Sequence, residues 1–393
     1  MRLFPILGLD NTSHDDQLTV TGDSSGFFMR NIVNFDISKR GSAHLRKSGR
    51  KVSSNIYSKL WQSPLHQDVF AVDLEGYLLK IDPYSWEGKQ LGQVGHDVNF
   101  EVINNQVFIS ASLGIFTFNG AVLTKITSDT PGYPYLQKSD GSLITGQYGV
   151  AISYLSGTFE SELSRMETIS LEGDGFGIQV TLPLLKGENV TGVNIYCTSG
   201  NGTELYLQST HPANAVEVTI TGEAELGRPA SFRHFSKMPT GKFMTHWQGR
   251  LVTADKNMLN FSQSLTYHLT DPRYDYIRMP QSITFVIGVD GGLWVGQVDK
   301  VVFLRGNAPD ALSFEIKTAQ PPVKGSAITL DSEVTGELGE GGGRTAMWLA
   351  ANGLCIGTGS GGLIEPQSKR IQGISAKSGG CVRFDRRVIA IIK

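Results

Sequence analysis

Residues 282–314 limit what this chain can fold into more than any other stretch. Ile283, Phe285 and Ile287 alternate with smaller or polar residues up to a turn at Asp290-Gly291-Gly292. Leu293-Trp294-Val295 comes next, then a polar break at Gln297 to Lys300, then Val301-Val302-Phe303-Leu304, and Gly306-Asn307-Ala308-Pro309-Asp310 ends the run. Alternation with turn residues at this spacing predicts short antiparallel strands in a meander. A lone meander has unpaired edges and a bare apolar face, so it requires neighbours.

The chain supplies them. Residues 106–120, 68–82, 248–262 and 347–364 repeat the outline of apolar strand, Gly- or Asn-containing turn, and second strand. Units recurring at roughly 40 residues predict the blades of a β-propeller, in an all-β chain. The count is five, with six or seven as alternatives; an irregular sandwich or barrel of look-alike hairpins is the competing architecture. The 46 glycines, and the scarcity of helical patterns, agree with an all-β chain.

Between the second and third units the text changes. Pro131-Gly132-Tyr133-Pro134 reads as a linker. Seven alternating segments lie between Gly149 and Ile220. This predicts an immunoglobulin-type sandwich over residues 140–222, inserted in the propeller, whose parts are 26–135 and 238–393. Residues 1–25 lack periodicity and read as an extended arm. The segment 27–38 is expected to close the ring by pairing with Cys381 to Ile392.

Charge and cysteine usage narrow the function. A net charge of −2 gives no electrostatic case for a broad nucleic-acid surface. Cys197, Cys355 and Cys381 have no metal-ligand spacing and read as buried free thiols. Pro5 and Asp10 cut the apolar opening short of a signal peptide, and no run approaches the roughly 20 residues of a membrane span. The eight histidines are scattered, and no cofactor or metal is expected. Gly357 to Gly362 runs into another strand, so it reads as a hairpin turn and not a phosphate loop. Gly339 to Thr345 lacks the lysine of such a loop and reads as a connection. Asp68, Asp73, Asp82 and Asp97 would be the carboxylates of a propeller glycosidase, but turn-forming aspartate is the commoner role. An exposed set, Tyr267, Arg273, Tyr274, Tyr276 and Arg278, would suit a sugar or protein contact.

Two resemblances add to this. Val33-Asn34-Phe35-Asp36-Ile37, a glycine turn and Leu45-Arg46-Lys47-Ser48-Gly49, after a short arm and before the first blade, resemble the opening of phage virion proteins of the tail-nozzle and packaged-DNA-stabilising kind. Tyr148-x-Val150-Ala151-x-x-Tyr154, with Glu160-Ser161-x-Leu163-Ser164 after it, resembles a fibronectin type III module, which phage tail proteins carry. The resemblance implies a non-enzymatic neck or tail component in the virion, made in the host cytoplasm. Its partners would be other copies in a six-fold ring and neighbouring tail, neck or portal-adaptor proteins, with genomic DNA only as cargo. Leu3, Phe4, Ile6, Leu7, Leu9, Arg46, Lys47 and Arg50 would form the assembly contacts. Binding of host-surface glycan and carbohydrate-active catalysis are the rival functions.

Overall fold

The computed structural model describes residues 4–22, 25–38, 40–46, 51–127, 129–185, 189–223, 227–318, 320–331, 336, 343–384 and 387–393. Among them the regular structure is all β, with two single 3-10 turns at Asp15–Gln17 and Pro309–Ala311. The chain forms two compact units, 57–278 and the combination of 1–56 with 279–393.

Unit 57–278 contains three four-stranded antiparallel meanders. The 61–93 sheet is Trp61–Gln62, Val69–Val72, Tyr77–Ile81 and Gly88–Gln93. The 99–125 sheet is Asn99–Ile103, Gln106–Ala111, Gly114–Phe118 and Leu123–Lys125. The 243–278 sheet is Phe243–Trp247, Arg250–Asp255, Met258–Phe261 and Tyr276–Arg278. Turn chemistry sets the register: Asn104 and Asn105, at φ 49° and 58°, make the two-residue turn between paired Ile103 and Gln106.

The 99–125 sheet is buried on both faces. Val107, Ile109 and Phe118 pack against Phe70, Val72 and Leu78 of the 61–93 sheet. Phe108 and Ile115, one residue out of phase, pack with Met244, Leu251 and Tyr267 of the 243–278 sheet. The Asn99 amide donates to the carbonyls of Lys242 (2.6 Å) and Gly241 (3.3 Å). Two meanders far apart in sequence are therefore direct neighbours.

The intervening residues form a separate two-sheet body. A three-stranded sheet of Tyr135–Leu143, Phe176–Thr181 and Glu217–Ile220 faces a five-stranded sheet of Gly146–Ser156, Phe159–Glu160, Glu167–Leu171, Gly192–Cys197 and Tyr206–Pro212. Tyr148, Val150, Ile152, Ile178, Val180, Val193 and Ile195 lie in the core between them. Beside Gly146–Ser156, two serines continue the ladder past Glu160. The Ser161 and Ser164 amides donate to the Tyr154 and Ile152 carbonyls, while their hydroxyls accept from the Tyr154 and Ile152 amides. A buried carboxylate holds the ends of this body together: Glu162 accepts from the Thr130 hydroxyl, where the chain enters, and from the Lys237 amide, where it leaves.

The body extends past the boundaries expected from sequence. Residue 140 falls inside the strand Tyr135–Leu143, whose polar text (QKSDGS) hides it. At the other end the Arg228 carbonyl accepts from the Leu207 amide, and Phe232 packs edge-on against Tyr196. We expect a fragment of residues 134–233 to melt cooperatively on its own and a fragment of 140–222 to melt lower or not at all. Circular dichroism melts of both decide it; equal stability of the two removes any role for the outer strand and the Arg228 segment.

The other unit contains two more four-stranded meanders. The 283–318 sheet is Ile283–Val289, Gly292–Gln297, Val301–Arg305 and Ser313–Thr318. The 328–364 sheet is Ile328–Asp331, Arg344–Ala350, Gly353–Gly357 and Leu363–Ile364. Phe285, Ile287, Trp294 and Phe303 of the first pack against Ala346, Trp348 and Cys355 of the second.

Two expectations for this unit are corrected. The expected arm 1–25 is not free over its described residues: Ile6–Leu9 pairs in parallel with Gly26–Met29, which also pairs with Thr19–Val20. The Asn11 amide donates to Arg370, and the Gln372 amide donates to the Asn11 side chain, so the segment is tied to residues 370–372. Nor is there a strand over 27–38 that closes on the C-terminal strands. Gly26–Met29 and Phe35–Ile37 are separate strands, Phe35–Ile37 pairs with Ala43–Leu45, and Gly379–Phe384 pairs with Arg387–Ile392. Each hairpin closes on its own nearby partner at lower entropic cost than a distant pairing.

Candidate functional site

The residues predicted for assembly fall into three groups. Leu3, Lys47 and Arg50 lie outside the described residues. Phe4, Leu7 and Leu9 are exposed on the small N-terminal sheet, while Ile6 is half-buried. The Arg46 guanidinium is engaged within its own hairpin, donating to Asp36 at 2.6 and 3.0 Å. On that hairpin Phe35 and Leu45 are direct cross-strand partners, so they share one face, and both are exposed, at 43% and 67%. Val33, just before this strand, is also exposed, at 73%.

The predicted aromatic contact set does not form one surface. Tyr267 is buried and packs edge-on against Phe108, 5.1 Å between ring centroids. Arg273 is held by Asp271 through two nitrogens (2.9 and 2.7 Å) and lies over the Tyr274 ring. Tyr274, Tyr276 and Arg278 are exposed, the last two on the outer strand of the 243–278 sheet. Three of the four aspartates are engaged locally, and Asp97 is exposed at a bend. Asp73 accepts from the Glu75 and Tyr77 amides, Asp82 from those of Tyr84 and Ser85, and Asp68 pairs with Lys80 at 2.9 Å. The Gly357–Gly362 stretch is a hairpin turn, with the Gly362 amide donating to the Thr358 hydroxyl. Of the 339–345 connection, residues 339–342 lie outside the described residues. Cys197 and Cys355 are buried free thiols, and burial pushes both up to about 12. Cys381 is half-buried. Among the described residues no helix is long and apolar enough to cross a membrane, and no cluster of metal-ligating side chains occurs.

Two features have no local sequence signal. One is a polar network around Glu160. One carboxylate oxygen accepts from the Ser153 hydroxyl (2.6 Å), the Asn194 amide (2.7 Å) and the Tyr196 phenol (2.6 Å). The other accepts from Arg228, which also donates to the Tyr196 oxygen at 2.9 Å. Burial raises the Glu160 carboxyl, but the four hydrogen bonds together outweigh it and hold the group below its ordinary value. The Tyr196 phenol is pushed above the usual range by burial first and by Glu160 second. The Glu160 backbone carbonyl bonds His268 at 2.8 Å, and burial lowers that imidazole. The Glu160 carboxylate is thus saturated from within, and through its backbone carbonyl and His268 the cluster ties the two-sheet body to the 243–278 region; the other ring nitrogen of His268 is buried without a partner.

The other feature is a cleft of about 730 Å³ inside unit 57–278, between the 99–125 sheet and the two-sheet body. Leu113, Phe116 and Lys125 form one wall; Tyr154, Leu184 and Val190 form the other. Tyr133, 63% exposed, stands on the linker at its edge. Gln93, Asp129 and Asn189 supply polar groups. A second lobe of about 330 Å³ shares Leu113, Lys125, Thr127 and Asp129, and reaches Lys237 and Pro239. The Lys125 stem lies across Gly114, where a Cβ would come within 2.8 Å of it.

No protein-family model matches the chain, and no curated protein matches it. Among solved structures it is similar to Sqt1 of Saccharomyces cerevisiae, at 12% identity over 77% of this chain and 82% of that one, with a TM-score of 0.25. It is also similar to the extracellular domain of a one-component system from B. thetaiotaomicron, at 12% identity over 86% of this chain and 57% of that one, TM-score 0.21. A third is the AfRom2 CNH domain, at 8% identity over 77% and 94%, TM-score 0.22. Likenesses this low carry no argument about architecture or activity.

Proposed function

We propose that this chain is a structural protein of a bacteriophage particle, a neck or tail layer built as a ring of identical copies. In this reading the five four-stranded meanders are propeller blades, and the two-sheet body is a fibronectin type III-like module inserted between the second and third. Stacking of the 99–125 meander through both its faces, and the pinning of residues 130 and 237 by Glu162, support that arrangement.

One observation carries the assembly reading. The stretches that resemble phage nozzle proteins, 33–37 and 45–49, place Val33, Phe35 and Leu45 in solvent. These side chains do nothing for the chain's own core. Phe35 and Leu45 form an exposed apolar pair on one face, which suits a contact with another protein. Contacts of one patch with a different patch on the next copy close into a ring.

Deleting the first 22 residues does not test this, because it removes a paired strand and the ties to residues 370–372. The double substitution Phe35→Ser, Leu45→Ser does. We expect a melting temperature close to that of the parent, since both side chains are exposed, and loss of the protein from purified particles in a complementation experiment. Normal incorporation of the doubly substituted protein overturns the reading.

A further inference from the structure

We infer that the 730 Å³ cleft between the 99–125 sheet and the two-sheet body binds a neutral oligosaccharide. This goes beyond the assembly role and does not depend on it. The volume lies in the range of about 300–1,000 Å³ typical of small-molecule sites. Its lining is mixed in a particular way. Tyr133 presents an exposed aromatic ring, and Phe116, Leu113, Leu184 and Val190 add apolar wall. Between them stand two neutral amides, Gln93 and Asn189, which donate and accept.

A ligand that satisfies both parts presents an apolar C–H face and a rim of hydroxyls, which describes a pyranose ring. The aromatic ring takes the C–H face and the amides take the hydroxyls. Other classes fit less well. An acyl chain would cover the apolar wall but leave Asp129, Asn189 and Gln93 desolvated without partners. In the main lobe a nucleotide or other polyanion would meet one cation, Lys125, opposed by Asp129, with Lys237 further off in the second lobe. Among the described residues neither of these two side chains makes a hydrogen bond or ion pair, so they remain free for ligand hydroxyls. In the main lobe their charges cancel, which favours an uncharged sugar over an acidic one there. The connected second lobe, about 330 Å³, gives room for further rings along the same groove, hence an oligosaccharide and not a monosaccharide.

The cleft is also held in shape without a ligand. Gly132 packs on the Pro183 ring, where a Cβ would sit 3.0 Å from it, so linker and body meet closely at the mouth. Burial raises the Tyr154 phenol, which lines the same wall. A site formed in advance spends less binding energy on ordering.

The test uses the full chain and saturation-transfer NMR, with maltotriose, cellotriose, chitotriose and mannotriose as probes. Sialyllactose and decanoate serve as acidic and apolar comparators. We expect transfer to the ring C–H protons of at least one neutral trisaccharide. Tyr133→Ala should weaken that binding by about tenfold or more, the scale of losing an aromatic stacking contact. Asn189→Ala should weaken it as well. Tyr274→Ala, an exposed tyrosine outside the cleft, should leave it unchanged, as should the folded melt of every variant. No transfer to any of the four neutral probes overturns the inference. So does binding that survives Tyr133→Ala, or preferential binding of decanoate or sialyllactose.

Discussion

Trp294→Ala is expected to destabilise the unit that contains it by about 3–5 kcal/mol, the usual cost of truncating a buried aromatic. Trp294 is fully buried. Its ring centroid lies 5.0 Å from Phe303 and 5.4 Å from Trp348, and its indole nitrogen donates to the Thr358 carbonyl at 3.0 Å. The substitution therefore leaves a cavity and removes one of the two hydrogen bonds that the Thr358 carbonyl accepts. The fit is tight from the other side too: a Cβ on Gly357 would come within 2.4 Å of the indole. Gly357→Ala should then be destabilising through overpacking, at about 1–3 kcal/mol. Since domains hold only about 5–15 kcal/mol, Trp294→Ala should be insoluble or bind ANS as a loosely packed state. An unchanged melting temperature and normal near-ultraviolet dichroism would falsify the packing account.

The second large effect is at Glu160. Glu160→Ala leaves the Arg228 guanidinium, the Tyr196 phenol, the Asn194 amide and the Ser153 hydroxyl without their shared acceptor. Removing one partner of a largely buried charge network costs about 3–5 kcal/mol. The Glu160 side chain keeps 15% exposure and Arg228 58%, so the lower end of that range applies. The same group predicts a pH dependence. Its folded value lies below the ordinary 4.5. Its stabilisation is therefore complete above that value and is lost as the pH falls through the lower folded value. Unfolding by urea at pH 7 and in the acid range should show a steeper acid loss for the parent than for Glu160→Gln. Identical acid profiles would remove Glu160 from the account.

Much of the strand order was legible because the inner strands of each meander are apolar and their turns are explicit. Ile283–Val289, Gly292–Gln297 and Val301–Arg305 track the alternation and the Asp290-Gly291 turn almost residue for residue. The outermost strands were not legible. Gly88–Gln93, Ser313–Thr318 and Tyr276–Arg278 are largely exposed, so they carry no apolar period to read. The N-terminal sheet was missed because what orders it is distant: Ile6 pairs with Phe27, and Asn11 bonds across 361 positions to Gln372. The exposed contact set failed at Tyr267 because an aromatic residue reads alike on a surface or in a core, and its partner Phe108 lies far off in sequence. The cleft and the Glu160 network share that property. Their members come from separated segments, and only the stacking of sheets brings them together.

The union of residues 1–56 with 279–393 in one unit fixes an order of events at the ribosome. Unit 57–278 is continuous and is complete as soon as its last residue emerges. Residues 1–56 must wait for the whole of that unit and for most of residues 279–393, a delay on the order of tens of seconds at about 5–20 residues per second. During that interval the N-terminal sheet lacks its ties to residues 370–372, and the local hairpin carrying Phe35 and Leu45 is available to chaperones or to nascent neighbours on the same message. A circular permutant that places 279–393 directly before residue 4 would abolish the delay, and the yield of soluble protein at high expression is where that change would register.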